Sequence, residues 1–355
     1  MSENAMTDQS KGLSELVYPL KDEPATGDGS AVEIVPGVLW LRMPLFASLP
    51  WINVWAIEDG DGWAIVDTGL RSADTTFAWH SAFGSSLRGR PITRIICTHM
   101  HPDHCGMAGW IAEEFGVQLW MSRLEYMSCR LMAADTGRAA PADAIRFYRA
   151  AGWDGAAIED YKAKFGAFGK HIYPLPNSYR RLSDGEWLAI GSHSWQIVMG
   201  SGHSPEHACL HCPSLKLLIS GDQVLPKISS NVSVYPTEPD ADPLSDWFNS
   251  LTRLKTEIPD DVLVLPAHNS PFQGLHRRLN RLIAGHHRGL ERLQDDLSVP
   301  KRAVDVFAAL FARVISPEVL GMATGETLAH LNYLQGQGKL SRQTDPDGVH
   351  WWVKP

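Results

Sequence analysis

Disulfide chemistry has little to work with in this chain: five cysteines, an odd number, are scattered through 355 residues. That excludes a small cross-linked scaffold and fits a reducing compartment, so a cytoplasmic protein is expected. Cys209 and Cys212 form a C-x-x-C pair, but no second pair accompanies them, which argues against a structural zinc site there. No apolar run approaches the roughly 18 residues of a membrane span, and no membrane partner is expected. Residues 1–29 are polar and acidic and lack the apolar core of a signal peptide, so 1–30 read as a flexible leader. Cations are in deficit, 32 against 40 acidic residues for a formal charge of −8, which disfavours a protein devoted to wrapping nucleic acid. Apolar material is not scarce. A hydrophobic content of 44% suffices for a well-buried core in one large domain or in two.

Against this background, Thr98-His99-Met100-His101-Pro102-Asp103-His104 crowds three imidazoles and a carboxylate into seven residues. The stretch follows an apolar, β-rich run at 92–97 and precedes a small-residue segment, 106–109, that can open a helix. Neutral imidazole nitrogens and carboxylate oxygens are the donors that zinc and related ions prefer. In an extended turn His99 and His101 point to the same side and can hold one ion, while Asp103 and His104 on the following bend can address a second. A histidine-rich surface loop without metal is the competing reading, and more distant residues weigh against it. The runs 51–57 and 63–66 flank Asp59-Gly60-Asp61-Gly62, the chemistry of a hairpin, and the second ends in Asp67-Thr68-Gly69. The runs 187–190 and 195–199 lead to Gly202-His203-Ser204-Pro205-Glu206-His207; 217–221 ends in Asp222, and 262–267 ends in His268.

The H-x-H-x-D-H string and these later elements resemble the metallo-β-lactamase superfamily over roughly residues 31–268. The resemblance implies an α/β protein, an αββα sandwich carrying two metals at one edge. It implies one site made by His99, His101, His203 and Asp222, and a second made by Asp103, His104, His268 and the same bridging Asp222. A metal-bridging hydroxide is the implied nucleophile, since metal binding lowers the pKa of water from 15.7 to about 7. Asp103 is expected to orient it as a catalytic residue. Asp67 and His207 are implied as supporting residues that hydrogen-bond the ligand loops without ligating. Two divalent ions are therefore expected, zinc by default, with iron or manganese compatible with the same donors. The commonest metallo-β-lactamases place a cysteine, or no bridging ligand, where this chain has Asp222, so β-lactam hydrolysis is a minor hypothesis.

The expected organisation is a catalytic domain over 31–298, with a helical insertion at about 123–168, and a small C-terminal domain over 299–355. In the insertion, Tyr126, Met127, Met132, Phe147, Tyr148, Tyr161 and Phe165 either line an apolar substrate pocket or pack the insertion onto the body. The loop after Asp222 is polar: Lys227, Ser229, Ser230, Asn231 and Tyr235 can donate to an oxyanion or phosphate, or tie the loop to itself. Residues 275–297 form a helical pattern dense in cations, among them Arg278, Arg281, Arg288 and Arg292, read as a solvated face or as a platform for a phosphate-bearing substrate. In the tail, helices are expected over 303–314, 317–322 and 324–337, with strands at 340–342 and 349–353. This order resembles the winged-helix-like tail of β-lactamase-like endoribonucleases and related thioesterases. The third helix has no Lys or Arg, and the tail's six basic residues are nearly matched by five acidic ones. Nucleic acid is thus a less favoured partner than a small molecule, and a capping or homodimer-forming tail is expected. The expected reaction is hydrolysis of a small ester, thioester or lactone of acyl-CoA or acyl-glutathione type, as in glyoxalase II-type hydrolases. A phosphodiesterase or endoribonuclease is the alternative.

Overall fold

The structure is a computed structural model that describes residues 16–46 and 49–355. Its first sheet has seven strands in chain order: β1 (Ala31–Val35), β2 (Val38–Pro44), β3 (Trp51–Asp59), β4 (Gly62–Val66), β5 (Ile92–Ile96), β6 (Leu119–Ser122) and β7 (Arg180–Leu182). The first four are antiparallel meanders, and β4 through β7 run parallel because helices intervene. The second sheet contains β8 (Trp187–Ile190), β9 (His193–Gly200), β10 (His207–Cys212), β11 (Leu217–Gly221) and β12 (Leu263–Pro266), ordered β12-β11-β10-β9-β8. Only β11 and β12 are parallel there. A separate hairpin, β13 (Ser341–Thr344) with β14 (His350–Val353), ends the chain.

Helices α1 (Ala73–Gly84), α2 (Pro102–Cys105), α3 (Ala108–Phe115), α4 (Arg123–Ala134), α5 (Ala142–Ala150) and α6 (Gly155–Lys164) belong to the first half of the chain. The second half supplies α7 (Pro243–Glu257), α8 (Leu275–Asp296), α9 (Phe307–Leu310) and α10 (Leu320–Gly336). Three apolar clusters define the layers. Trp40, Trp55, Trp195, Leu210 and Ile219 fill the space between the sheets. Trp79, Ile95, Ile111 and Leu119 join α1 and α3 to the outer face of the first sheet. Val198, Trp247, Leu251, Leu279 and Leu293 join α7 and α8 to the outer face of the second. Strand periodicity places every second residue on one side. Cys212 accordingly lies between the sheets and Cys209 on the helix side, so this C-x-x-C cannot close on one ion. All five cysteines are free and buried.

The tail is not a core of its own. Leu328, Leu331, Leu334, Leu340 and Trp352 share one cluster with Leu290, Leu293 and Trp247. Its helices also differ from expectation. The segment expected as a helix over 303–314 is a short 3-10 turn at Ala303–Val306 followed by α9, and the two expected at 317–322 and 324–337 are the single helix α10. Pro317 turns the chain away from helix at the residue before it, and the Thr324 hydroxyl bonds back to the Leu320 carbonyl at 2.8 Å, so this residue continues a helix instead of starting one. The leader expected over 1–30 is also more tied down: residues 1–15 lie outside the described residues, but Val17 exchanges backbone hydrogen bonds with Gln273, and Glu23 pairs with Arg42 at 2.8 Å.

Helices α8 and α10 meet through His286 Nδ1 and His330 Nε2, 3.2 Å apart. Burial, reinforced by the facing imidazole, pushes His286 down to about 3, and burial pushes His330 down to about 4. Both are neutral in the folded chain and take up protons near 6.5 once unfolded, so the stability they contribute is complete above that pH and is lost as pH falls toward 4. Melting temperature should therefore fall between pH 6.5 and 5, and less steeply in a His286→Leu variant. A slope unchanged by that substitution would remove the pair from the acid response.

Candidate metal centre

The C-terminal ends of β4, β5, β9, β11 and β12 all reach one edge of the sandwich, where the polar residues that follow them converge. Two backbone stitches hold the sheets together at this edge: Ala208 N–H donates to the Thr98 carbonyl at 2.8 Å, and Asn53 N–H to the Ala267 carbonyl at 2.7 Å. After β5 the chain does not wait until residue 106 to turn helical. Pro102, with its fixed φ and no N–H to satisfy, occupies the first position of the short helix α2, which carries Asp103 and His104.

The side chains form three overlapping groups. His99, His101 and His203 come together, as do His99, His104 and Asp222, and Asp103, His104 and His268; within each group the nearest nitrogen and oxygen atoms lie within 4.8 Å of one another. Asp222 sits between them. Its Oδ1 is 3.5 Å from both His104 Nε2 and His268 Nε2, and its Oδ2 is 3.4 Å from His203 Nε2. Asp103 Oδ2 is 3.3 Å from His268 Nε2 and 3.7 Å from His104 Nε2. A tetrahedral ion with bonds of about 2.0–2.1 Å separates its ligands by about 3.4 Å, so these are spacings of donors around a cation. Three of the buried atoms, His104 Nε2, His203 Nε2 and Asp222 Oδ1, have no hydrogen-bond partner. Orphaned buried acceptors of this kind are costly unless something binds them, and His and Asp donors fit a divalent ion.

Charge on the cluster points the same way. Burial, together with the neighbouring imidazoles, holds His99 well below the ordinary histidine range and His101 down to about 3, leaving both as neutral donors. Burial also works against protonation of His104 and His268, but the carboxylates of Asp103 and Asp222 outweigh it and raise both. Conversely, burial would raise Asp103 and Asp222, yet His104 and His268 bring Asp103 down to about 2 and Asp222 well below its usual value. The cluster attracts positive charge, which a cation supplies better than a proton.

The outward nitrogens of the rings are fixed. Asp67 takes a left-handed φ of 60° and accepts three hydrogen bonds: from the Thr98 N–H at 2.8 Å, from the Thr98 hydroxyl at 2.9 Å and from His104 Nδ1 at 2.8 Å. His203 Nδ1 donates to the Asn231 carbonyl at 2.7 Å, and His268 Nδ1 faces the Trp51 carbonyl at 3.2 Å. His207 Nε2 accepts the backbone N–H of Asp222 at 3.1 Å. Gly221, φ 48°, lies so close that an added Cβ would meet the His207 ring at 2.6 Å. Replacing His207 by Ala should loosen Asp222 without removing a donor, and we expect a loss of zinc affinity of about tenfold, read by chelator competition. A loss as large as that of Asp222→Ala would make His207 a ligand.

Two supporting residues were missed. Glu125, on α4, accepts the Met100 N–H at 2.9 Å and the Glu206 N–H at 2.8 Å, joining the two histidine loops; nothing in its sequence surroundings marks it. Asn53 donates to the Pro266 and Asn269 carbonyls at 2.8 and 2.6 Å and so braces the turn that carries His268. A lone amide inside the apolar run of β3 was a legible signal for it. The insertion's aromatics are spent on packing: Tyr126 stacks on Tyr179 at 3.9 Å, Met132 packs with the first sheet's helices, and Phe147 with the second's. Tyr161 meets Tyr148 at a tilt and Phe165 edge-on, and Met127 is exposed. In the loop after Asp222, Ser230 donates to the Asp222 carbonyl and Ser233 to Asn231, while Lys227 and Tyr235 stay exposed.

Two sheets flanked by helices, with clustered His and Asp groups able to hold metal ions at one edge, define the class of protein. The chain belongs to the metallo-beta-lactamase superfamily, whose model matches residues 52–268, and the metallo-beta-lactamase-like C-terminal domain matches 290–355. A beta-lactamase domain protein from Burkholderia ambifaria is 38% identical, with 96% of this chain and 98% of that one covered at a TM-score of 0.87. A metallo-beta-lactamase family protein from Thermus thermophilus is 26% identical over 91% of this chain and 100% of its own, at a TM-score of 0.76. Over 321 residues the chain is 22% identical to a Bacillus subtilis (strain 168) protein named "Probable metallo-hydrolase YqjP", covering 88% of this chain and 97% of the relative. No helix among the described residues is long and apolar enough to cross a membrane.

Proposed function

We propose that the chain is a dinuclear metal-dependent hydrolase acting on a small ester, thioester or lactone. The placement of Asp222 carries this reading, with one carboxylate oxygen facing His104 and His268 and the other facing His203. His99, His101, His203 and Asp222 would hold one ion; Asp103, His104, His268 and Asp222 the other. Zinc is the ion we assign, because imidazole and carboxylate donors at tetrahedral spacing suit it. Two such ions supply Lewis acidity and make water nucleophilic at neutral pH. Asp103, the most exposed acid of the cluster at 24%, is the residue that would orient a water there. Lys227 and Tyr235, exposed on the loop after Asp222, are the donors available to a substrate oxygen. Asp67, His207, Glu125 and Asn53 keep the four ligand-bearing turns in place.

A phosphodiester substrate is the second reading, favoured by the arginines of α8 beside the same loop. The deciding experiment is a panel of thioester, lactone, phosphodiester and β-lactam substrates offered to the zinc-reconstituted chain. Thioester or lactone turnover abolished by chelation supports the first reading, and turnover of the phosphodiester alone replaces it with the second.

A further inference from the structure

The loop after Asp222 and helices α8 and α10 line an open cavity of about 260 Å³, bordered by Lys227, Arg278, Arg281, Arg292 and Glu326. Among the described residues, none of these four cations forms an ion pair with a carboxylate. Arg278, buried, donates from Nε to the Leu225 carbonyl and from Nη2 to the Ile228 carbonyl at 2.6 Å. Arg292 Nε donates to the Ala309 carbonyl at 2.8 Å. Both guanidinium groups are thus held in place by backbone oxygens that fix them without neutralising them. Half-buried Arg281 and exposed Lys227 complete the ring. Glu326, the acid of the cavity, is bound by Asn231 Nδ2 at 2.8 Å, and burial pushes its carboxyl up to about 7, so it offsets only part of this charge. Four positive charges gathered around one cavity repel one another, and an anion relieves the repulsion.

The cavity adjoins the metal cluster through one short segment. Asn231, which holds Glu326, also accepts from His203, and Ser230 donates to the Asp222 carbonyl. We propose that this cavity binds a phosphate or pyrophosphate group carried by the substrate, anchoring that end while the scissile bond reaches the metal edge. Planar guanidinium groups fixed in advance are suited to bidentate phosphate contacts. The proposal rests on the hydrolase reading above for the bond that is cleaved, but the anion site stands on the cavity alone.

Isothermal titration of inorganic pyrophosphate into the full chain tests the site. It is run on zinc-loaded protein and repeated after chelation, so that binding at the cluster drops out. We expect a saturable site that survives chelation and is weakened about tenfold in Arg281→Ala and in Lys227→Ala, both surface-accessible changes whose folding is checked by thermal melting. No saturable binding after chelation by a chain that still melts cooperatively, or binding unchanged in both variants, overturns it. A matched pair then locates the anion. Acetyl-CoA should show a KM about tenfold below that of acetyl-pantetheine, a gap that closes in Arg281→Ala. Equal KM values beside intact pyrophosphate binding overturn the anchoring of the substrate and leave a site for free anions. Pyrophosphate binding weakened by both variants, with neither thioester turned over, supports the cavity and retires only the thioester reading.

Discussion

Asp222→Ala is expected to bring bound zinc from two ions per chain to one or none and to lower kcat/KM by roughly a thousandfold or more, which corresponds to about 4 kcal/mol of transition-state stabilisation. The size of the effect follows from the position of the residue. Asp222 lies 3.4–3.5 Å from nitrogens of three histidines, His203 in one of the proposed sites and His104 and His268 in the other. Removing it would leave each proposed site with three protein donors and strip from His104 and His268 a negative counter-charge that helps raise both of them. Asp222→Asn keeps the shape and one acceptor, so it should retain more metal than the alanine variant while losing comparable activity. Elemental analysis and kcat/KM on the same samples check both. Full occupancy with lost activity would mean that Asp222 acts on substrate and not on metal.

Asp67→Asn should weaken zinc affinity by about 10–100-fold and lower stability by about 2–4 kcal/mol. Asp67 is fully buried and accepts three hydrogen bonds, two from Thr98 and one from His104 Nδ1. Asparagine tolerates the left-handed backbone that Asp67 adopts, so the substitution isolates the charge and the lost acceptor from any backbone effect. With an amide in place, either Thr98 or His104 loses its acceptor, and the His104 ring is no longer held in the tautomer that presents Nε2 to the cluster. Denaturant unfolding with and without zinc separates the two contributions: the stability loss should persist in the metal-free chain, and the affinity loss should appear as a reduced zinc-induced shift. An unchanged zinc shift would make Asp67 a fold residue only.

How much of this was legible beforehand depends on how local the signal is. The His-rich turn, the carboxylate after β11 and the histidine after β12 each follow the end of an apolar run, and the end of a strand is what reaches an edge of the sandwich. The layers were implied by the resemblance to the metallo-β-lactamase superfamily, and alternation supplied only the individual strands. What could not be read was anything set by packing between distant segments. Glu125 has no local mark, because its role exists only where α4 meets two loops. The tail's helix boundaries shifted because the hydroxyl of Thr324, the first residue of a helix expected over 324–337, is satisfied inside α10. Residues 16–30 looked too polar to dock, and yet Val17 and Glu23 found partners on the body. The charged face of α8 could be read as solvated or functional from sequence; only the fold puts Lys227 and three of its arginines around one cavity.

The central claim is that two ions share Asp222. Zinc stoichiometry of the reconstituted full chain, measured by elemental analysis after exhaustive dialysis, tests it most directly. Two ions per chain are expected, falling to one in His268→Ala, which spares the His99, His101 and His203 group. Zero ions in the wild type, or a stoichiometry that His268→Ala leaves unchanged, would contradict it.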